Sequence, residues 1–230
     1  MSDQSAAPVL AGRGLECAIG STHVLRGVDI EIAPGEVVAL MGPSGSGKST
    51  LLHLLAGLLR PDAGTVTLSG QRLDTQPDRV RSARRLRELG FVFQFGDLVP
   101  ELTVVENVEL PLRLLGEQPA RCRERALEML DRLSVADEAD RRLSEVSGGQ
   151  AQRAAVARAL VHWPAVILAD EPTGSLDTVT GELVLEALVS AASDQGTAVL
   201  LVTHEMRVAA WSDRDIHLRD GAVVDAGVPA

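Results

Sequence analysis

The chain has 230 residues, 45% hydrophobic and 23% charged, with a formal net charge of -10, which is enough apolar material for one large folded unit. The acidic balance opposes phosphate backbones and anionic lipid at long range, so broad electrostatic capture of nucleic acid is excluded as the default role and any phosphate must be held locally. Two cysteines, Cys17 and Cys122, lie far apart and form no CxxC pair, which argues against a disulfide framework or zinc module and suits a reducing compartment.

Residues 1–8 lack a basic stretch followed by an apolar run, so they read as a flexible tail and not a signal peptide, and residues 9–230 as the folded domain of a cytoplasmic protein. Apolar runs such as 165–169 and 198–202 are far shorter than the ~20 residues of a spanning helix, so any membrane role requires a partner. Residues 36–41, 91–93, 165–169 and 198–203, continuous in Val, Ile and Leu, predict buried strands. Helices over 48–59, 80–89, 120–133, 150–162 and 182–192 alternate with them, which predicts an α/β fold with a parallel sheet. Thr103 and Glu106 have the spacing of a capping box, and Pro119 sits at a first-turn position. The helical stretch 104–142 interrupts the alternation and predicts a lobe, about 97–160. Within 79–87, Val80, Ala83, Leu86 and Leu89 make one apolar edge and the arginines fall elsewhere, which predicts a solvated basic helix face. Asp220-Gly221 between 217–219 and 222–224 predicts a tight hairpin.

Gly42, Pro43, Ser44, Gly45, Ser46, Gly47, Lys48, Ser49 and Thr50 satisfy GxxxxGK[ST] where a strand gives way to a helix, the context that makes this motif a phosphate loop. Glycines let successive N–H groups wrap phosphate oxygens at a helix N-terminus. Lys48 then adds a full charge at the β- and γ-phosphates of ATP, and Ser49 an oxygen ligand for Mg²⁺. A dinucleotide fingerprint fails, because Thr50 stands where the third glycine or alanine belongs. A second apolar strand ends in Asp170 and Glu171; the first can hold Mg²⁺ and the second orient or deprotonate an attacking water.

Ser147, Gly148, Gly149 and Gln150, then AQRAAVARAL, then the acidic strand and Pro172-Thr-Gly-Ser-Leu-Asp177 follow in order, with Gln94 and His204 each after a strand. This ordered set resembles the ATP-binding subunits of ABC transporters from about Leu15 onward. The resemblance implies a P-loop NTPase with a RecA-like core, a small antiparallel β portion near the N-terminus and a helical lobe carrying the signature Ser147 to Gln150. It implies two copies sandwiching two ATPs, each signature facing the γ-phosphate held by the other copy's Lys48. Gln94 would reach Mg²⁺ and the water, Asp177 would lie at the dimer contact, and His204 would stabilise the γ-phosphate. Partners would be a second copy and integral membrane permease subunits, with no nucleic acid, placing the chain peripherally on the inner face of the cell membrane.

Within the family, Phe91-Val-Phe-Gln94, Leu98-Val-Pro-Glu-Leu-Thr-Val-Val-Glu-Asn107 and Leu168-Ala-Asp-Glu-Pro-Thr-Gly-Ser-Leu-Asp177 look most like the subgroup serving lipoprotein release, macrolide or peptide efflux and cell-division permeases. Two departures stand out. The chain has no Tyr, and Ile19, with Ala18 as the neighbouring candidate, occupies the position where the family places an adenine-stacking ring. Val146 replaces the usual leucine that opens the signature. A soluble ATPase acting on DNA or ribosomes is a rival reading, weakened by the lack of a long coiled coil or second cassette. A module that holds ATP without turning it over is weakened by the presence of Lys48, Asp170, Glu171 and His204 together.

Overall fold

Strands that are apolar along their whole length have both faces covered, and those of this chain do. The computed structural model describes residues 7–94 and 97–224; residues 1–6 of the expected tail lie outside the described residues. Contacts divide the chain into two units, one of 1–85 and 198–230, the other of 86–197.

The first unit opens with β1 (Leu10–Ile19) and β2 (Thr22–Ile32), paired antiparallel with irregularities around Gly12 and Leu15. Next come β3 (Val37–Met41), α1 (Lys48–Leu55), β4 (Ala63–Leu68), β5 (Gln71–Arg72) and most of α2 (Asp78–Glu88). One sheet has the order β2-β1-β4-β5, the antiparallel portion implied by the family resemblance.

In the second unit lie β6 (Leu89–Phe93), α3 (Val104–Leu114), α4 (Pro119–Arg132), α5 (Gly148–Leu160), β7 (Val166–Asp170) and α6 (Thr178–Gln195). The chain then returns to the first unit with β8 (Ala198–Thr203), α7 (Met206–Ala209), β9 (Arg214–Arg219) and β10 (Ala222–Val224). Every residue of β3 and β8 is buried, and the two pair in parallel from Val37↔Val199 to Met41↔Thr203, with β9 parallel on the other side of β3. In the second unit β6 and β7 pair in parallel from Leu89↔Val166 to Phe93↔Asp170. Among the described residues no helix is long and apolar enough to cross a membrane.

Local chemistry sets the element ends. The predicted helix 48–59 stops at Leu55 because Gly57 is left-handed (φ 64°), and its N–H bonds the carbonyl of Leu54 while that of Leu58 bonds His53; this Schellman closure consumes the last carbonyls. The Thr103–Glu106 capping box is present and starts α3, and Pro119 opens α4. Thr178 to Gly181, poor helix formers, nonetheless extend α6 four residues ahead of the predicted start because the Asp177 side chain accepts from the Thr180 N–H. Asp220 (φ 49°) and Gly221 (φ 79°) turn the predicted hairpin, both with the positive φ a type I′ turn demands.

The solvated arginine face expected of α2 is corrected by the structure. Val80 is 39% exposed, whereas Arg81 is 5% exposed. Arg81 and Arg85 donate to the Gly57 carbonyl at 3.0 and 2.9 Å, and Arg84 to that of Leu68 at 2.7 Å. Arg81 also pairs with Asp78. The Gly57 carbonyl lies just past α1, outside the Schellman bonds and near the negative pole of the helix, where it draws two guanidinium donors, while Arg84 takes the carbonyl that ends β4. Burial, reinforced by the neighbouring Arg81, pulls the Arg85 guanidinium below its ordinary pKa. Replacing Arg81 with Met keeps the aliphatic stem but removes the bond to Gly57, so urea unfolding should show a loss of about 1–3 kcal/mol; unchanged stability would mean that Arg85 alone closes this helix end.

Candidate functional site

Parallel strands deliver their C-terminal ends to the same sheet edge, where open α/β sheets bind ligands. In the first unit, the Met41↔Thr203 pair brings the phosphate loop, which begins at Gly42, beside His204. In the second, the Phe93↔Asp170 pair brings Gln94 beside Glu171. Each unit thus assembles its own group of the predicted residues.

The phosphate loop runs straight into α1, with Gly47 as its N-cap at φ 107°. A Cβ on Gly42 would sit 2.1 Å from the carbonyl oxygen of Leu218, and one on Gly47 2.9 Å from Leu25 Cδ2, so only glycine lets this backbone pass so close to β9 and β2. Ser46 is buried, its N–H donating to Pro43 and its carbonyl accepting from Gly221. The hairpin turn therefore braces the loop from behind. Lys48 Nζ curls back to the carbonyls of Gly42 (2.7 Å) and Pro43 (3.0 Å), holding its charge against the loop that precedes the helix. Ser44, Gly45, Ser49 and Thr50 complete the loop and first turn. His204 is exposed just after β8. Ile19 is 58% exposed at the end of β1, while Ala18 is half-buried and its N–H is held by Asp62 at 2.7 Å; of the two candidates for the base position, Ile19 presents the free aliphatic surface.

In the second unit Asp170 closes β7, and Glu171 follows with φ 47°, a left-handed conformation costly for a residue with a Cβ and typical of functional sites. The Glu171 carbonyl accepts from the Gly174 N–H at 3.0 Å, closing the turn that holds the strained residue. Gln94 lies against this turn: a Cβ on Gly174 would be 2.9 Å from Gln94 Nε2, and Ser175 Oγ donates to the Gln94 carbonyl at 2.7 Å. Asp177, exposed at the start of α6, is held below the usual carboxylate range by its hydrogen bonds from Thr180.

The signature segment forms a helix start. Ser147 Oγ accepts from the Gln150 N–H at 3.2 Å, and Gln150 Oε1 accepts from the Ser147 N–H at 2.7 Å, a reciprocal capping box. Gln150 Nε2 also donates to Glu138 at 2.7 Å. Ser147 and Gly148 are exposed, whereas Gly149 is buried, where a Cβ would lie 2.3 Å from Thr180 Cγ2. Gly149 thus lets the α5 start seat closely on α6. The structure also brings in Gln152, which the sequence reading did not single out: it is buried, and its Nε2 donates to the carbonyls of Phe93 (2.9 Å) and Pro172 (2.7 Å). The available signal was a lone long polar residue among alanines and valines on a buried helix face.

A family model described as ABC transporter matches residues 25–174. The chain is 46% identical over 218 residues to the lipoprotein-releasing system ATP-binding protein LolD 2 of Caulobacter vibrioides, spanning 93% of this chain and 96% of that protein. It is 43% identical to LolD of Bacteroides thetaiotaomicron, spanning 91% and 96%. Among solved structures it is similar to the ATP-binding cassette MJ0796 in a dimeric post-hydrolysis state bound to ADP and Pi, at 38% identity and TM-score 0.85, spanning 94% of this chain and 97% of that one.

The close seating at Gly149 has a direct check. Gly149→Ala should destabilise the chain by about 1–3 kcal/mol through overpacking, and adding Thr180→Ser, which removes the opposing methyl, should recover most of that loss in thermal unfolding. A double variant as unstable as the single one would place the strain elsewhere.

Proposed function

The chain belongs to the ABC transporter family and is an ATPase, and from that membership we propose that two copies close head to tail around two ATP molecules to drive a separate membrane permease in lipoprotein release. The observation that carries this reading is the presence of two prepared helix starts, α1 after the phosphate loop and α5 with Ser147 and Gly148 exposed. Each offers N–H groups and a positive pole to an anion. In the closed pair, Lys48 and the loop hold the triphosphate of one ATP while Ser147, Gly149 and Gln150 of the other copy approach its γ-phosphate. Neither copy then has a complete site alone.

Within that arrangement Glu171 orients and deprotonates the attacking water, Gln94 positions it, and His204 steadies the γ-phosphate. Ser49, Gln94 and Asp170 carry oxygen ligands of the kind Mg²⁺ takes and would hold that ion, which would neutralise phosphate charge. Asp177 lies at the contact between copies. Phosphate loss removes the charge-assisted bonds that bridge the copies, and the pair opens. The helical lobe, about 97–160, passes this motion to the permease on the inner face of the membrane, in an exporter or mechanotransmission system. Lipoprotein release is the activity in the names of the LolD relatives, and the motif phrasing of this chain resembles the subgroup that includes such systems.

Glu171→Gln should leave ATP binding intact, lower hydrolysis by at least about 100-fold and accumulate an ATP-bound dimer on size-exclusion chromatography; turnover at the unmodified rate would remove Glu171 from the chemistry. Ile19→Tyr adds a ring where only an exposed aliphatic stands. Stacking of about 0.5–1.5 kcal/mol should tighten ATP binding roughly two- to tenfold in competition against a fluorescent nucleotide. An unchanged Kd would show that residue 19 does not face the base.

A further inference from the structure

One buried amide meets the two segments that carry the proposed water-handling residues. Gln152 is 3% exposed and stands on α5, two residues past the end of the signature. Both hydrogens of its Nε2 are used, one on the carbonyl of Phe93 at 2.9 Å and one on that of Pro172 at 2.7 Å. Phe93 immediately precedes Gln94, and Pro172 immediately follows Glu171. The peptide after Glu171 matters because Glu171 is held at φ 47°, a backbone state that persists only when its surroundings over-determine it. Ser175 Oγ, bonded to the Gln94 carbonyl at 2.7 Å, adds a second tie between the same two segments but leaves α5 out. Gln152 bonds both of them to the helix through one amide.

We propose that Gln152 is a positioning residue that tethers α5 to the Gln94 and Glu171 segments of its own chain, so that the alignment of the water-activating carboxylate follows the seat of the signature helix. This rests on the reading of function above, in which the start of α5 meets the ATP held by the other copy. A movement of α5 on nucleotide engagement is then carried through one rigid amide to the hydrolytic residues of its own chain, which links the two ATP sites of the pair. The bonds of its Nε2 go to backbone carbonyls, and the side chain acts through them.

Two substitutions in the full chain separate tethering from simple satisfaction of buried carbonyls. Gln152→Met fills the space and takes the Nε2 donor from both carbonyls, whereas Gln152→Ala opens room for a water that can donate to both but cannot bind them to α5. Steady-state ATPase kinetics, nucleotide Kd and thermal unfolding are measured for each beside the unmodified chain and Glu171→Gln. A tether predicts that kcat falls roughly 10- to 100-fold in both variants while KM and Kd stay within about twofold. Near-normal kcat in Gln152→Ala would overturn the tether, because water would then suffice. So would a parallel decline of kcat and nucleotide affinity, or failure of Gln152→Ala to fold, since either makes the residue a core element only. If Gln152→Met does not fold, the alanine variant decides. Absence of turnover in the unmodified chain, or of an ATP-bound dimer in Glu171→Gln, would instead reject the sandwich reading itself.

Discussion

Parallel pairing is the constraint on which the rest of this structure depends. Two strands running the same way must leave the sheet at the same edge, so whatever follows one lies beside whatever follows the other. The Met41↔Thr203 and Phe93↔Asp170 registers convert this geometric necessity into chemistry. Residues 42 and 204 become neighbours in one unit, and residues 94 and 171 in the other, although the members of each pair lie far apart in sequence. A shift of one residue in either register would turn every strand side chain to the opposite face. The fully buried, unbroken apolar runs of β3 and β8 tolerate no such slip without exposing the loops that follow to a different wall.

The parts of this plan that were legible in the sequence are those with short-range signatures. Continuous Val, Ile and Leu identified β3, β7 and β8, the Gly42-to-Thr50 motif identified its own strand-to-helix context, and Asp220-Gly221 identified its turn. What stayed hidden depends on distant partners. β1, with Gly12 and Gly14 inside it and register shifts along its pairing with β2, lacks a clean alternation, and only the family resemblance implied that sheet. The arginines of α2 read as a solvent face because their partners are backbone carbonyls at Gly57 and Leu68, and carbonyls leave no mark on side-chain periodicity. Gln152 was missed for the same reason: its acceptors lie 59 and 20 residues away. The ABC resemblance supplied roles for Gln94, Asp177 and His204 that no local pattern could, since each is a single polar residue after a strand or before a helix.

The two units manage backbone strain in different ways, and the difference follows from what each must hold. In the phosphate loop the tight approaches fall on glycines: Gly42 passes under the Leu218 carbonyl and Gly47 between β2 and the start of α1. Removing the side chain removes the conflict and leaves N–H groups as the working surface. At the end of β7 that solution is closed, because the residue there has to carry a carboxylate. Glu171 therefore adopts a left-handed backbone despite its Cβ, and the compensation comes from neighbours. Gly174 donates to its carbonyl, Ser175 bonds Gln94, and Gln152 pins the next peptide from α5. A group whose chemistry needs a side chain at a sharp turn has to be held from outside, and the network of ties in the second unit is the physical consequence.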